Sequence, residues 1–233
     1  MTVKNLGVLG GMGPAAGAEF LRLLARDAPV ERDQDHPGII MLSEPSIPDR
    51  TQAIMGQGED PTPRLRRCLE RLTEWGADVL AVPCNTAHFF IDRFRDELRV
   101  PFIHIVEATV KAAAANSPDG AWLLSTSGTR ISGLYAKYAG REGYRLLNPP
   151  DKTQELIQMC VLQVKAGKIA EAGALIREII EGLWSEDDRL IMTACTELPL
   201  AYAASGLPPQ QEISSLQALS DACLKSLYGA VCT

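Results

Sequence analysis

Short apolar runs alternate with amphipathic stretches along most of the chain. An apolar run bounded by turn residues is typical of a strand buried on both faces of a parallel sheet. Because such runs are separated by helical patterns, they predict βαβ units and an α/β fold. The predicted strands are LGVLGG (6–11), GIIMLSE (38–44), ADVLAVP (77–83), VPFIHI (100–105), AWLLSTS (121–127), YRLLNPP (144–150) and DRLIMTA (188–194).

The stretches between the runs have helical spacing. Pro14 suits the first turn of one helix, and Gly76 is typical of the residue that follows the end of another. The helix before Gly76 is predicted by apolar residues three and four positions apart, which give one buried face. They are Leu65, Cys68, Leu69, Leu72 and Trp75. Further helices are predicted at 128–140, at 152–183 with a break near 166–168, and at 214–229.

The two halves of the chain resemble each other in their spacing. A small-residue loop begins at Gly10 and a Cys-x-Thr segment follows 74 positions later at Cys84; a similar loop begins at Ser125 and a Cys-Thr segment follows 70 positions later at Cys195. We expect two similar lobes, each a short parallel sheet flanked by helices, related by a pseudo-twofold axis with the site in the cleft between them. The N-terminal lobe is placed at 1–104, completed by the C-terminal helix 208–233, and the C-terminal lobe at 105–207.

Composition and charge narrow the class of protein. The 233 residues are 46% hydrophobic and carry a net charge of −6, which disfavours nucleic acid as a partner. The basic segment RLRRCLERL (64–72) is interpreted as the solvated side of a helix. No run approaches the roughly 18 apolar residues of a membrane span, and residues 1–13 lack the pattern of a secretory signal. We therefore expect a cytoplasmic protein with no membrane partner.

The six cysteines show no ligand spacing for a metal and, in a reducing compartment, no disulfide framework is expected. Four of them are interpreted as small apolar residues of the core. The other two stand between an apolar run and a helix start: Cys84 in AVPCNTAHFF (81–90) and Cys195 in IMTACTELPL (191–200). The four core cysteines are Cys68, Cys160, Cys223 and Cys232.

Paired cysteines suggest acid–base chemistry. A helix N-terminus favours a thiolate, and the adjacent Asn85, Thr86 and Thr196 can donate hydrogen bonds. If the two cysteines face one cleft, a thiolate can remove a proton from one face of a carbon and a thiol can return one to the other face. Such a pair would invert a stereocentre without a cofactor.

Two small-residue loops are candidates for holding a carboxylate, because their backbone N–H groups can approach an anion. LGGMGP (9–14) contributes Gly11 and Met12, and STSGT (125–129) contributes Thr126, Ser127 and Thr129. Nicotinamide binding is disfavoured, since Ala16 stands where the third glycine of a dinucleotide fingerprint belongs. A P-loop is excluded because no Gly-Lys-Ser/Thr follows.

The motifs LGGMGP, IPDR, PCNTAH and CTELPL, in this order, resemble those of the aspartate/glutamate racemase family and specifically its aspartate racemase branch. The resemblance runs from about residue 5 to 200. It implies a two-lobed racemase independent of PLP and of other cofactors, which interconverts L- and D-aspartate, with glutamate as a further substrate. It also implies that Cys195 acts on the L-face and Cys84 on the D-face, and that the protein is a homodimer.

The same resemblance implies that Arg50 in IPDRT and Lys165 in VKAGK bind the side-chain carboxylate. Arginine can grip a carboxylate with two hydrogen bonds, so this role is chemically sensible. The chain departs from the branch in two places: Glu44-Pro45 stands where Asn-Pro is expected, which could alter the substrate pocket, and Ala194 replaces a glycine. The glutamate racemases resemble the chain less, because they have histidine where it has Glu197.

Several alternatives stay open at this stage. His88 could tune Cys84 or make only a structural hydrogen bond, and His36 and His104 are interpreted as structural. The same cysteines are compatible with a related decarboxylase, with a cis–trans isomerase of a dicarboxylate, or with a non-catalytic dicarboxylate sensor. Aspartate and glutamate differ by one methylene, worth about 1–3 kcal/mol in a pocket, so the sequence does not rank them.

Overall fold

The computed structural model describes residues 4–229, so Cys232 lies outside the described residues. Strands and helices alternate through both halves, and each half ends in a helix. The first half contains β1 (Leu6–Gly10), α1 (Pro14–Asp27), β2 (Ile39–Ser43), α2 (Arg50–Ile54), α3 (Thr62–Glu74), β3 (Val79–Ala81), α4 (His88–Ile91), β4 (Phe102–Ile103) and α5 (Ile105–Asn116). The second contains β5 (Ala121–Leu124), α6 (Ser127–Ile131), α7 (Leu134–Arg141), β6 (Leu146–Leu147), α8 (Asp151–Lys165), α9 (Ile169–Glu186), β7 (Ile191–Thr193), α10 (Leu198–Ser205), β8 (Glu212–Ser214) and α11 (Ser215–Tyr228).

The strands form two four-stranded parallel sheets with the same topology. The first has the order β2-β1-β3-β4 and the second the order β6-β5-β7-β8. In the first sheet β2 lies on one side of β1 and β3 lies on the other, so the strand order reverses its direction between β1 and β3. The same reversal occurs between β5 and β7 in the second sheet. Such switch points leave a crevice at the carboxyl ends of the strands, where ligands bind in open α/β sheets. The predicted α/β class with two similar lobes is confirmed.

The predicted elements are found with shorter strands, because each apolar run continues past the sheet into the loop that follows it. The predicted break at 166–168 is confirmed: α8 ends at Lys165 and α9 begins at Ile169, with Gly167 between them at a φ of 76°. The single helix expected at 128–140 is wrong. Gly133, at a φ of 65°, separates α6 from α7.

Strand β8 was not predicted, since its three residues carry little apolar signal. It pairs with β7 and so belongs to the second sheet. The placement of 208–233 with the first lobe stays a prediction, and only residues 208–229 of this segment are described. Its strand extends the second sheet, whereas its helix α11 packs on α1 and α5.

One hydrophobic cluster joins the two sheets. It contains side chains from β1 and β3 of the first half, from β5 and β7 of the second, and from the helices α1, α5, α7 and α11. Two further clusters fill the outer sides, one under α3 and α4 and one under α8, α9 and α10. Because the two halves share a core, the loops on the two sides of the cleft have fixed positions relative to each other. Among residues 4–229, no helix combines the length and the apolar character needed to cross a membrane.

Candidate active site

A small cavity lies where the loops at the carboxyl ends of the two sheets meet. The loops after β1 and β3 approach it from the first half, and those after β5 and β7 approach it from the second, so it is built at both switch points. Its volume open to water is about 20 Å³, room for about one water molecule. It is lined by Met12, Asp49, Arg50, Thr51, Cys84, Asn85, Thr86, Thr126, Lys165, Cys195, Thr196 and Glu197.

The two cysteines reach this cavity from equivalent positions. Cys84 follows β3 by three residues and precedes the turn that opens α4; Cys195 follows β7 by two residues and precedes the turn that opens α10. Both side chains are buried, with 6% of Cys84 and 5% of Cys195 exposed. The sequence-based expectation that both cysteines face one cleft is met, because both line the same cavity.

Cys195 has a carboxylate as its neighbour. Its thiol donates a hydrogen bond to Glu197 Oε2 at 3.1 Å, and the Glu197 side chain is itself buried. Burial, together with the negative charge of Glu197, raises the pKa of the Cys195 thiol well above its usual value. Lys165 acts in the opposite direction but does not cancel the effect. Cys195 is therefore a thiol at neutral pH, which corrects the expectation that the helix N-terminus would favour its thiolate.

Beneath Cys84 lies a buried imidazole. His88 Nδ1 is 2.9 Å from the Cys84 carbonyl oxygen, and His88 Nε2 is 3.3 Å from the backbone nitrogen of Ile105. Since a carbonyl only accepts, Nδ1 must donate and Nε2 must accept the Ile105 N–H. Burial, and then the neighbouring His104, hold the pKa of His88 well below its usual range. His88 is thus a neutral residue that holds the backbone of Cys84, not its sulfur.

His104 continues this buried network. Its Nε2 lies 3.2 Å from Asp92 Oδ1, and Asp92 also accepts hydrogen bonds from Tyr138 and Lys137. Burial alone would raise the pKa of Asp92, but these three donors outweigh it and hold the pKa below its ordinary value. His104 therefore has the structural role that the sequence suggested.

Three threonine hydroxyls connect the halves beside the cavity. Thr86 Oγ1 lies 3.0 Å from Thr126 Oγ1 and 2.8 Å from Thr129 Oγ1. Asn85 is held from two sides, since its amide donates to Ser215 and its carbonyl oxygen accepts from Tyr135. Asn85 and Thr86 therefore line the cavity as parts of a fixed hydrogen-bond network, with one amide hydrogen of Asn85 left for a ligand.

Arg50 brings a buried cation to the cavity. Its Nη1 donates to the carbonyl oxygens of Ile47 and Pro48, both at 3.0 Å, but its Nε is buried without a hydrogen-bond partner. Lys165, at the end of α8, lines the cavity from the second half and is exposed. Within residues 4–229, no carboxylate lies within ion-pair distance of either side chain. A buried donor without a partner is costly, so this corner of the cavity is suited to an anion.

Three residues that the sequence predicted at the site do not line the cavity. Gly11 adopts a φ of 93° and packs so closely on the loop after β2 that a Cβ would lie 2.5 Å from the Glu44 nitrogen. The Ser127 N–H is already bonded to Gln158 Oε1, and Thr129 contacts the other threonines. Gly11, Ser127 and Thr129 shape the loops but do not line the cavity.

The Glu44 side chain also stays outside the cavity. Its carboxylate accepts a hydrogen bond from Ser46 and lies 3.7 Å from Arg64. The Glu44 side chain therefore does not line the cavity, and its backbone packs on Gly11. An effect of Glu44 on the substrate pocket stays a prediction. In the part of the chain that the structure describes, no cluster of three or more His, Cys, Asp or Glu side chains could hold a metal ion.

The sequence did not identify Glu197, Asp49 and Thr51 as cavity residues. Glu197 was noted only as a departure from histidine, although a carboxylate between Cys-Thr and an apolar run is itself an unusual signal. Its Oε1 accepts the Gly13 N–H at 3.1 Å, so the glycine loop of the first half binds a carboxylate of the protein. Asp49 and Thr51 flank Arg50, and only the position of α2 brings them to the cavity.

Known proteins share the sequence pattern and the fold of this chain. The broad specificity amino-acid racemase RacX of Bacillus subtilis is 26% identical over 197 residues, which cover 83% of this chain and 85% of that protein. The structure of Picrophilus torridus aspartate racemase is 28% identical with a TM-score of 0.84, over 97% of this chain and 94% of that one. Francisella tularensis glutamate racemase, solved with D-glutamate, shares the fold at 16% identity, with a TM-score of 0.68 over 98% and 82% of the two chains. The Asp/Glu/hydantoin racemase model matches residues 9–222. The chain therefore belongs to the Asp/Glu/hydantoin racemase family.

Proposed function

We propose that this protein is a cofactor-independent racemase of acidic amino acids that interconverts L- and D-aspartate and accepts glutamate as a further substrate. The observation that carries the proposal is one cavity lined by Cys84 and Cys195, one from each half, together with the cations Arg50 and Lys165. Two thiol groups provide an acid and a base, and two cations provide binding for a second carboxylate. The family and its aspartate racemase neighbour support the same reaction.

The proposed substrate contacts follow from the unpaired charges. The side-chain carboxylate binds Arg50 Nε, which is buried without a partner, and Lys165, which faces it from the second half. A charged hydrogen bond to a buried donor is stronger than one to an exposed donor. A neutral amino acid would leave Arg50 unpaired. We therefore expect this protein to prefer dicarboxylic amino acids to neutral ones, unlike the broad specificity named for the Bacillus subtilis relative.

In the proposed reaction Cα loses one proton and gains another on its opposite face. The thiolate of one cysteine takes the Cα proton and becomes a thiol, and the electron pair of the broken C–H bond is held as the enediolate of the α-carboxylate. The thiol of the other cysteine then gives its proton to the opposite face of Cα and becomes a thiolate. Positioned acid–base groups of this kind contribute about 10²–10⁴-fold to a rate. The reacting groups consume no oxidant and no cofactor.

An amino acid is larger than the roughly single water that the cavity admits. Substrate entry in this proposal therefore requires the loops of the two halves to separate and to close again on the ligand. Closure excludes water from Cα, which strengthens the contacts of the cations with the carboxylates.

The first experiment is proton NMR of L-aspartate with the purified protein in D₂O, without added PLP or metal. We expect the Cα–H signal to disappear as deuterium enters, with a matching loss of optical rotation. L-Glutamate and L-alanine samples rank the substrates, and we expect alanine to react most slowly because it lacks the second carboxylate. A persistent Cα–H signal with all three amino acids would contradict the proposal, and maleate or a malonate would then be tried.

Cys84→Ala and Cys195→Ala test the two-base step. Each variant should lose at least about 10³-fold in kcat/KM, since one of the two proton carriers is missing. Cys160→Ala is the matched control, because Cys160 is a buried cysteine of α8 away from the cavity. Racemisation by the double Cys84→Ala, Cys195→Ala protein would disprove the proposed mechanism.

The homodimer and the cytoplasmic location remain predictions. Light scattering of the purified protein measures the first, and fractionation of cells that express it measures the second. Neither result alters the chemistry proposed above, because both proton carriers and both cations come from one chain.

A further inference from the structure

The two thiols of the cavity have different neighbours at matching positions. Two residues after Cys195 stands Glu197, whose carboxylate is 3.1 Å from the sulfur. Two residues after Cys84 stands Thr86, whose hydroxyl is bonded to other threonines. Within residues 4–229, no carboxylate or imidazole side chain is hydrogen-bonded to the Cys84 sulfur. The duplicated halves are therefore equivalent in backbone topology but not in the charge beside the reactive atom.

The Glu197 carboxylate accepts three hydrogen bonds. Its Oε2 accepts from the Cys195 thiol at 3.1 Å and from the Thr196 hydroxyl at 3.3 Å, and its Oε1 accepts from the Gly13 N–H at 3.1 Å. Only 3% of Glu197 is exposed, and among the described residues no Lys or Arg forms an ion pair with it. The Gly13 N–H can only donate, and in the contact with Cys195 the sulfur is the donor to Glu197 Oε2.

Ionisation of Cys195 would remove one of these donors and place a second negative charge 3.1 Å from the first. Like charges at such a distance in a buried site cannot both be ionised without a large penalty. Among residues 4–229, no carboxylate is hydrogen-bonded to the Cys84 sulfur in this way. The carboxylate thus separates the roles of two side chains that are chemically identical.

We infer that Glu197 keeps Cys195 protonated, so that the free protein holds Cys195 ready as the proton donor and leaves Cys84 to act as the base. This rests on the proposed function for its catalytic consequence. Under the face assignment that the family resemblance implies, the free protein is ready for D-aspartate, whose Cα–H faces Cys84. L-Aspartate must wait until the proton has moved from Cys195 to Cys84.

The protons balance over one catalytic cycle that begins and ends with a Cys195 thiol. Conversion of one D-substrate transfers the Cα proton to Cys84 and the Cys195 proton to Cα, which leaves a Cys84 thiol and a Cys195 thiolate. The thiolate stands beside Glu197 and takes a proton from water, and Cys84 returns one to water. No charge or atom is left over, and the free protein is again ready for the same enantiomer.

The direct test is a pH titration by NMR of protein labelled with ¹³Cβ-cysteine, because the Cβ shift reports thiol ionisation without requiring activity. The proteins are wild type, Glu197→Gln and, as the matched control, Glu181→Gln on the exposed face of α9. Cys195→Ala assigns the signal. We expect the Cys195 midpoint to fall by at least one pH unit in Glu197→Gln, a tenfold change in the ionisation constant. The Cys84 midpoint and the Glu181→Gln protein should not change.

If Glu197→Gln fails to fold, Glu197→Asp provides the second variant, since it withdraws the carboxylate from sulfur by one methylene. A Cys195 midpoint equal to that of wild type in a folded variant would overturn the inference. A protein that does not racemise amino acids but shows the shift would overturn the proposed function and leave the proton assignment intact. The two failures are therefore distinguishable.

Discussion

The two halves of the chain have the same sheet order but different groups around their cysteines. Cys84 and Cys195 both follow the third strand of a 2-1-3-4 sheet, so topology alone brings them to one cavity. The backbone of Cys84 is held by the neutral His88, whereas the sulfur of Cys195 is bonded to the charged Glu197. The comparison teaches that the repeated fold determines where the two thiols lie and that single neighbouring side chains determine which one carries the proton.

The halves also differ in a second titratable group. His88 is fully buried under Cys84, whereas the partly buried Glu212 of β8 accepts a hydrogen bond from Thr193 of the neighbouring strand β7 at 2.7 Å. Burial lowers the pKa of His88, and burial raises the pKa of Glu212 to about 7. Burial thus favours the neutral form of both side chains, which is the deprotonated form of His88 and the protonated form of Glu212. The stability of the fold therefore depends on pH in opposite directions through the two groups.

After the two cysteine variants, the largest effect is expected from Arg50→Gln, which sharpens the comparison between the cations of the two halves. The Nε of Arg50 is buried without a partner, whereas Arg130 of α6, a cation of the second half, is already bonded to Pro149 and Asp151. We expect Arg50→Gln to raise KM for aspartate about 10²–10³-fold, the usual cost of removing a buried charged partner. Arg130→Gln, the matched control, should change KM less than about threefold.

Arg50→Lys separates charge from geometry. It keeps the positive charge but loses the planar donor group, so its KM should lie between those of wild type and Arg50→Gln. Circular dichroism spectra must match that of wild type, since Arg50 also bonds to the carbonyl oxygens of Ile47 and Pro48. Equal KM values for Arg50→Gln and Arg130→Gln would place the carboxylate elsewhere in the cavity.

Glu212→Gln should produce the next largest effect, on stability above neutral pH. The folded pKa of Glu212 is raised from 4.5 to about 7, so the native state binds more protons than the unfolded state between these values, and stability is lost as the pH rises through them. Gln keeps the shape without the charge. Denaturant unfolding should therefore show the variant more stable than wild type by about 2 kcal/mol at pH 8, and by much less at pH 5. A gain that is the same at both pH values would contradict burial as its cause.

His88→Asn tests the opposite response in the first half. The folded pKa of His88 lies below its unfolded value, so its contribution to stability is present above a pH of about 6.5 and is lost as the pH falls below it. Wild type should lose about 1 kcal/mol per pH unit from this residue on acidification. His88→Asn should be less stable at pH 7 but should show a flatter acid slope. The same slope in both proteins would show that another group titrates.

The lobes and the cysteine pair could be predicted from the sequence because apolar runs and repeated motifs are local signals. The strands of β1 and β5, for example, are buried on both faces and therefore consist of consecutive apolar residues. Strand β8 and the contact between Glu197 and Gly13 could not be predicted in this way. The first is short and partly polar, and the second joins positions 184 residues apart, which only the packing of the halves brings together.

The smallest effect is expected from Gly13→Ala, which disturbs the carboxylate of Glu197 without removing it. Gly13 has a φ of −101° and a ψ of 170°, a conformation that alanine also adopts. The added Cβ would lie 3.1 Å from Glu197 Oε1 and would displace that oxygen by a few tenths of an ångström. The Cys195 hydrogen bond should weaken, so its titration midpoint should fall by about 0.3 pH units, an effect of about 0.4 kcal/mol. Gly140→Ala in α7, where a Cβ meets no atom within 4 Å, is the matched control. A Cys195 midpoint unchanged by Gly13→Ala would mean that the Gly13 N–H does not help to hold Glu197 against the sulfur, and that the two halves are less closely coupled than their hydrogen bonds indicate.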